Sequence, residues 1–137
     1  MRKFIVLILI SSFFLVQCTG NRGGSQAKSE STGTADIAFN EYEYDFGKIT
    51  EGEKVSHQFV FENKGPGDLV LKSVSTTCGC TASKYTSKPV KPGETGSIEV
   101  LFDASDRNGM QTKTITVNSN AKVPVVLLRI TAEVMQQ

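Results

Sequence analysis

The sequence predicts an all-β fold, an antiparallel β-sandwich of about seven strands, on three observations. Apolar and polar residues alternate with a period of two through most of the chain beyond residue 40. The alternating runs are separated by short segments built from Gly, Pro, Asn and Asp, and no stretch carries a helical period. About a hundred residues, 37–137, are patterned in this way, enough for one small domain with its own core. A small closed barrel is the alternative reading of the same pattern.

The elements follow in order. "EYEYDFGKI" places Tyr42, Tyr44 and Phe46 in phase along a first strand. "KVSHQFVFEN", residues 54–63, is the clearest: Val55, His57, Phe59 and Phe61 share one face, and Ser56, Gln58, Val60 and Glu62 the other. "DLVLKSVS", "TGSIEVLFD", "QTKTITVNS" and "VPVVLLRITAEV" repeat the theme with Val, Ile, Thr, Leu and Phe. Between them "TEGE", "NKGPGD", "KPVKPGE" and "ASDRNG" supply the positive φ angles and fixed prolines of turns. Gly47 is expected at a bulge or bend. "DASDRNG" is expected as a hairpin loop, not a calcium site, since Arg107 occupies the fifth position and no glutamate closes the twelfth. Two layers of inward Phe, Val and Leu favour an immunoglobulin-like arrangement, although the chain has no tryptophan.

The first residues, "MRKFIVLILISSFFLVQC", carry Arg2 and Lys3 and then an apolar run from Phe4 to Val16 broken only by Ser11 and Ser12. The run is too short for a permanent span and reads as a secretory signal peptide over residues 1–17. Leu15-Val16-Gln17-Cys18 resembles the lipobox of bacterial lipoproteins, with Gln17 where Gly, Ala or Ser is usual. That resemblance implies cleavage before Cys18 and lipid on its sulfur. Residues 18–36, rich in Gly, Ser and Thr, read as the anchor site and a disordered tether. Thr19, Gly20, Asn21 and Arg22 resemble neither an inner-membrane retention signal nor an acidic surface-export signal. The expected location is therefore the outer membrane, facing the periplasm. The whole chain has 15 basic and 14 acidic residues, and without Arg2 and Lys3 the balance is 13 against 14. Nothing in that balance supports a nucleic-acid partner.

Five motifs occur in series: Asp45-Phe46-Gly47; His57, Phe59, Phe61, Asn63 and Gly65 at alternate positions; Cys78-Gly79-Cys80-Thr81; Pro92-Gly93-Glu94; and a closing "ITVNSN". From Asp45 to Val134 this series resembles the bacterial domain-of-unknown-function family numbered 1573. The resemblance implies a secreted or lipid-anchored protein with an immunoglobulin-like fold related to major-sperm-protein-type domains. It implies no agreed activity. It marks Asp45, Phe46, Gly47, Phe59, Phe61, Asn63, Gly65, Gly79, Pro92 and Gly93 as motif residues of the fold.

With Cys18 acylated, Cys78 and Cys80 are the remaining thiols, in an oxidising compartment. Residues two apart on a strand lie roughly 6.6 Å apart, near the upper limit for a disulfide, and a turn at Gly79 shortens that distance. Three readings compete. The first is structural: buried thiols or a tight disulfide finishing a strand and fixing a loop "TASKYTSK". The second is a soft-metal site for Cu(I) or Zn(II), with His57 as candidate third ligand, since antiparallel strands 54–63 and 69–77 would bring it to the same end as the cysteines. The third is thiol–disulfide exchange, against which stand the missing C-x-x-C and the missing helix N-terminus. A lone inward histidine such as His57 is more often a hydrogen-bonded core residue than a ligand. One histidine and scattered acids assemble neither a Ser-His-Asp set nor a paired-carboxylate site, so no catalytic residue is assigned. "DFG" without a glycine-rich loop indicates no kinase. The sequence thus points to a non-catalytic binding or structural module of the cell envelope, membrane-bound through lipid on Cys18, with an envelope protein as partner and no cofactor expected. The alternative is copper or soft-metal handling, or thiol-redox chemistry, at Cys78-Gly79-Cys80.

Overall fold

A computed structural model describes residues 33–77 and 80–136, and of residues 80–83 the backbone alone. The expected signal peptide, Cys18, most of the expected tether, Cys78 and Gly79 lie outside the described residues. Eight strands are present: β1 (Ile37–Phe39), β2 (Glu43–Thr50), β3 (Lys54–Asn63), β4 (Leu71–Thr76), β5 (Cys80–Tyr85), β6 (Thr95–Asp103), β7 (Gly109–Ser119) and β8 (Val125–Met135). They form two four-stranded sheets, in the orders β1-β3-β6-β5 and β2-β8-β7-β4.

The alternation read from the sequence places the core. Phe59 and Phe61 on β3, Ile98, Val100 and Phe102 on β6, Ile115 and Val117 on β7, and Leu128, Ile130, Ala132 and Val134 on β8 are all buried between the sheets. Full burial of a side chain of this size contributes roughly 1.5–3 kcal/mol. Leu69 and Val90, joined by an isolated antiparallel bridge, close one end.

Several expectations change on contact with the structure. The count is eight because the first strand is split. β1 pairs antiparallel with β3, residues 40–42 cross over, and β2 pairs parallel with β8. The β2–β8 pair is thus the one parallel pairing among the described strands of an otherwise antiparallel sandwich. Tyr42 belongs to this crossing and is exposed, out of the strand that holds Tyr44 and Phe46. Gly47 sits inside a register shift between Asp45 and Lys48, after which Ile49 becomes the inward residue. "CTASKY" is a strand, β5, not a loop after one: its outward pairing with β6 was hidden by a register irregularity at Ala82/Lys84.

Residues 104–108 are not a hairpin loop either. Both edges of β6 are occupied, by β3 and β5, so the chain must leave that sheet and β7 joins the other. The domain also begins before residue 37. Ala35 is buried, and its carbonyl accepts the N–H of Lys122 at 2.9 Å.

Asp103, where β6 leaves its sheet, has its carboxyl lowered to about 2 by hydrogen bonds from Ser105 and then by Lys54, 3.1 Å away. The folded value lies below the ordinary 3.8, so its stabilisation is complete above the ordinary carboxylate range and is lost as pH falls through about 2. Asp103→Asn should therefore narrow the difference in urea midpoint between pH 5 and pH 2. An unchanged difference would assign the acid sensitivity to other groups.

Candidate functional site

Three places in this frame hold the residues singled out by sequence. The first is the end of the sandwich where β3 finishes. Asn63 is fully buried and all four of its side-chain bonds go to backbone. Its Nδ2 donates to the carbonyls of Gly67 (2.7 Å) and Val90 (2.9 Å), and its Oδ1 accepts from Gly65 (3.0 Å) and Asp36 (3.3 Å). Its own N–H donates to Glu94 and its carbonyl accepts from Gly93. One side chain thereby ties three separate loops to the end of β3. Gly65 is required by the same closeness: a Cβ there would stand 2.4 Å from the Thr34 carbonyl oxygen and the Asp36 nitrogen. Lys91-Pro92-Gly93-Glu94 makes a turn closed by Glu94 N–H to Lys91 C=O at 2.9 Å, with Gly93 at φ +77°, the type II arrangement of Pro then Gly. These motif residues build the domain's end through backbone bonds.

The second place surrounds His57. Its ring stacks on Tyr44 across the sandwich, centroids 3.5 Å apart and 7° from parallel, and meets Phe59 edge-on at 4.8 Å. Nε2 lies 2.8 Å from Oε1 of Glu41, in the crossing between β1 and β2. A carboxylate has no hydrogen to give, so Nε2 carries it and donates. The partner is sixteen residues upstream, on a segment brought over β3 by the sheet switch, which is why sequence proximity did not reveal it. The cluster pins the crossing to both sheets.

The third place is the start of β5. Cys80 opposes Phe102 on β6, which in turn opposes Val55 on β3, so Cys80 and His57 belong to one sheet with β6 between their strands. His57, two residues beyond Val55, thus lies at the same end of the sheet as the backbone of Cys80, with β6 between the two strands. Among the described residues no three His, Cys, Asp or Glu side chains gather as a metal site. Cys78, Gly79 and the Cys80 side chain lie outside that description.

A fourth feature escaped the sequence reading. At the start of β8, Val123, Val125 and Leu127 are 56%, 47% and 59% exposed. The signal was present in "VPVVLL", apolar on both faces where a half-buried strand needs only one. On the opposite sheet the outer face carries a polar depression of about 260 Å³ lined by Gln58, Lys84, Tyr85, Thr86, Ser97 and Glu99.

Strands β1, β3, β6 and β5 facing β2, β8, β7 and β4 give the A-B-E-D and A′-G-F-C layers of an immunoglobulin-like sandwich. The chain belongs to the family described as protein of unknown function DUF1573, whose model matches residues 37–134. No curated protein matches it significantly. Among solved structures it is similar to a protein of unknown function from Porphyromonas gingivalis W83, with TM-score 0.65, 23% identity, and 75% of this chain and 48% of that chain covered. It is also similar to the ASH/PapD-like domain 7 of human CEP192, with TM-score 0.62, 10% identity, and coverage of 76% and 88%. The VesB protease of Vibrio cholerae follows at TM-score 0.61 and 17% identity, with 72% of this chain and 32% of that chain covered. The chain thus spans about half of the Porphyromonas protein and a third of the protease, and identities this low show a shared fold alone.

Proposed function

We propose that this protein is a non-catalytic binding module of the cell envelope, held by lipid on Cys18 to the periplasmic face of the outer membrane. Its ligand is an envelope protein, taken at the exposed start of β8. The observation that carries this reading is the group Val123, Val125 and Leu127, three large aliphatic side chains left in water where the chain enters β8. Contiguous apolar surface of this kind marks interaction sites more often than scattered residues do. Residues 19–32, if flexible, give a reach of roughly 20 Å from the lipid, enough to present the domain to neighbours without releasing it. The rival metal or thiol role for Cys78 and Cys80 draws little support from His57, whose ring is stacked on Tyr44 and whose strand is separated from β5 by β6.

Two measurements in intact cells test this. Radiolabelled fatty acid should be incorporated into the native chain and not into Cys18→Ala. A photoreactive amino acid at Val123 should yield discrete envelope-protein adducts, while one at Ser56, on the outer face of the other sheet, should yield few. Labelling that survives Cys18→Ala removes the anchor, and equal or absent adducts at the two positions remove the binding role.

A further inference from the structure

The pairing of β8 is lopsided. On one side β7 accompanies it from Val125, opposite Asn118, to Val134, opposite Gly109. On the other side β2 joins only at Arg129, opposite Glu43, because the preceding residues cross to the other sheet. Residues 125–128 are therefore a strand with one open edge.

The direction of each backbone group follows from bonds nearby. Arg129 donates its N–H to Tyr42 C=O at 2.8 Å, toward the β2 side. Thr114, its opposite on β7, bonds away from β8: its carbonyl accepts from Thr77 N–H at 3.1 Å and its N–H donates to Thr77 Oγ1 at 3.2 Å. Residues two apart on a strand point the same way. Val125 and Leu127 thus aim both N–H and C=O at the open side, and none of the four groups has a partner among the described residues. Their side chains stand beside those groups in solvent.

We propose that residues 125–128 form a strand-addition site for an extended segment of a partner protein with apolar residues at alternate positions. This rests on the reading of the domain as a binding module and names the class of its ligand. Paired strands would satisfy the open backbone groups, and alternate side chains of the added strand would lie against Val125 and Leu127. Other occupants fit less well. Residues 19–32 of this chain offer only Ala27 as an apolar side chain. A second copy pairing through four residues falls well short of the roughly 800 Å² per partner of a stable interface. Lipid chains supply neither donor nor acceptor, so sinking an open edge into them would strand its polar groups.

The test uses the full chain carrying Cys18→Ser, purified from the periplasm and ¹⁵N-labelled, with an acetylated Thr-Val-Thr-Val-Thr-Val-Lys peptide as probe. Amide exchange at Val125 and Leu127 should slow at least tenfold with the peptide. It should stay at its unliganded rate with the same peptide N-methylated at alternate amides, or with phosphatidylethanolamine–phosphatidylglycerol vesicles. Leu127→Pro deletes an outward N–H and no bond to β7, so the Leu128 amide should remain protected while protection at Val125 by the peptide disappears. Unchanged exchange with the peptide overturns the proposal. Equal slowing by the N-methylated peptide or by vesicles overturns it in favour of apolar adsorption or lipid, and slowing with protein concentration alone in favour of a second copy. Adducts formed in cells at another surface, with no peptide effect here, would sink this edge and spare the binding module. Peptide protection without cellular adducts would do the reverse.

Discussion

Asn63→Leu should lower unfolding stability by about 3–5 kcal/mol, the largest effect expected of any single side chain outside the hydrophobic core. Leucine matches asparagine in branching, though its two methyls are bulkier, and removes every side-chain hydrogen bond it makes. The N–H groups of Asp36 and Gly65 lose their acceptor, and the carbonyls of Gly67 and Val90 lose their donor. Each buried group left without a partner costs about 1–3 kcal/mol, and some recover water as the end of the domain opens. Asn63→Asp should fare little better at neutral pH, because a carboxylate accepts from Asp36 and Gly65 but faces the two carbonyls with no hydrogen to offer. Urea unfolding followed by far-ultraviolet circular dichroism measures both. A loss under about 1 kcal/mol for the leucine variant would mean that water already satisfies these groups.

Phe61→Ala should cost about 3–5 kcal/mol, the ordinary consequence of removing a wholly buried ring. A more specific expectation concerns its coupling to Gly96, directly opposite on β6. A Cβ at Gly96 would lie 2.3 Å from Cζ of Phe61 and 2.8 Å from Cε2. The ring lies over the glycine and also against Phe39, centroids 5.4 Å apart, so it has little freedom to yield. Gly96→Ala alone should therefore destabilise by about 1–3 kcal/mol through overpacking. In the Phe61→Ala background the same change should cost almost nothing, since the new methyl enters the space that the ring vacated. Additive losses in the double variant would show that backbone conformation, not the ring, demands glycine at 96.

The motif residues divide by how they act. Asn63, Gly65, Pro92 and Gly93 cooperate at one end of the sandwich through backbone bonds, so their roles were partly readable: a polar residue in phase with Phe59 and Phe61 must be buried, and a buried amide must be bonded. Two of its partners, Gly65 and Gly67, are local, but Asp36 and Val90 were not readable, because they lie 27 residues away on either side. His57 was legible as inward, but Glu41 as its partner was not.

By itself the sequence determined the layer class, the positions of most strands and the identity of the inward residues. Those properties follow from period-two alternation and from glycine and proline at turns, which act over a few residues. Only the tertiary structure decided which strands are neighbours. An edge can be paired once, so β7 must leave β6, the split first strand must serve both sheets, and β2 must lie parallel to β8. That competition for edges also leaves residues 125–128 open on one side. No local pattern encodes it, because a strand's free edge depends on where every other strand has already gone.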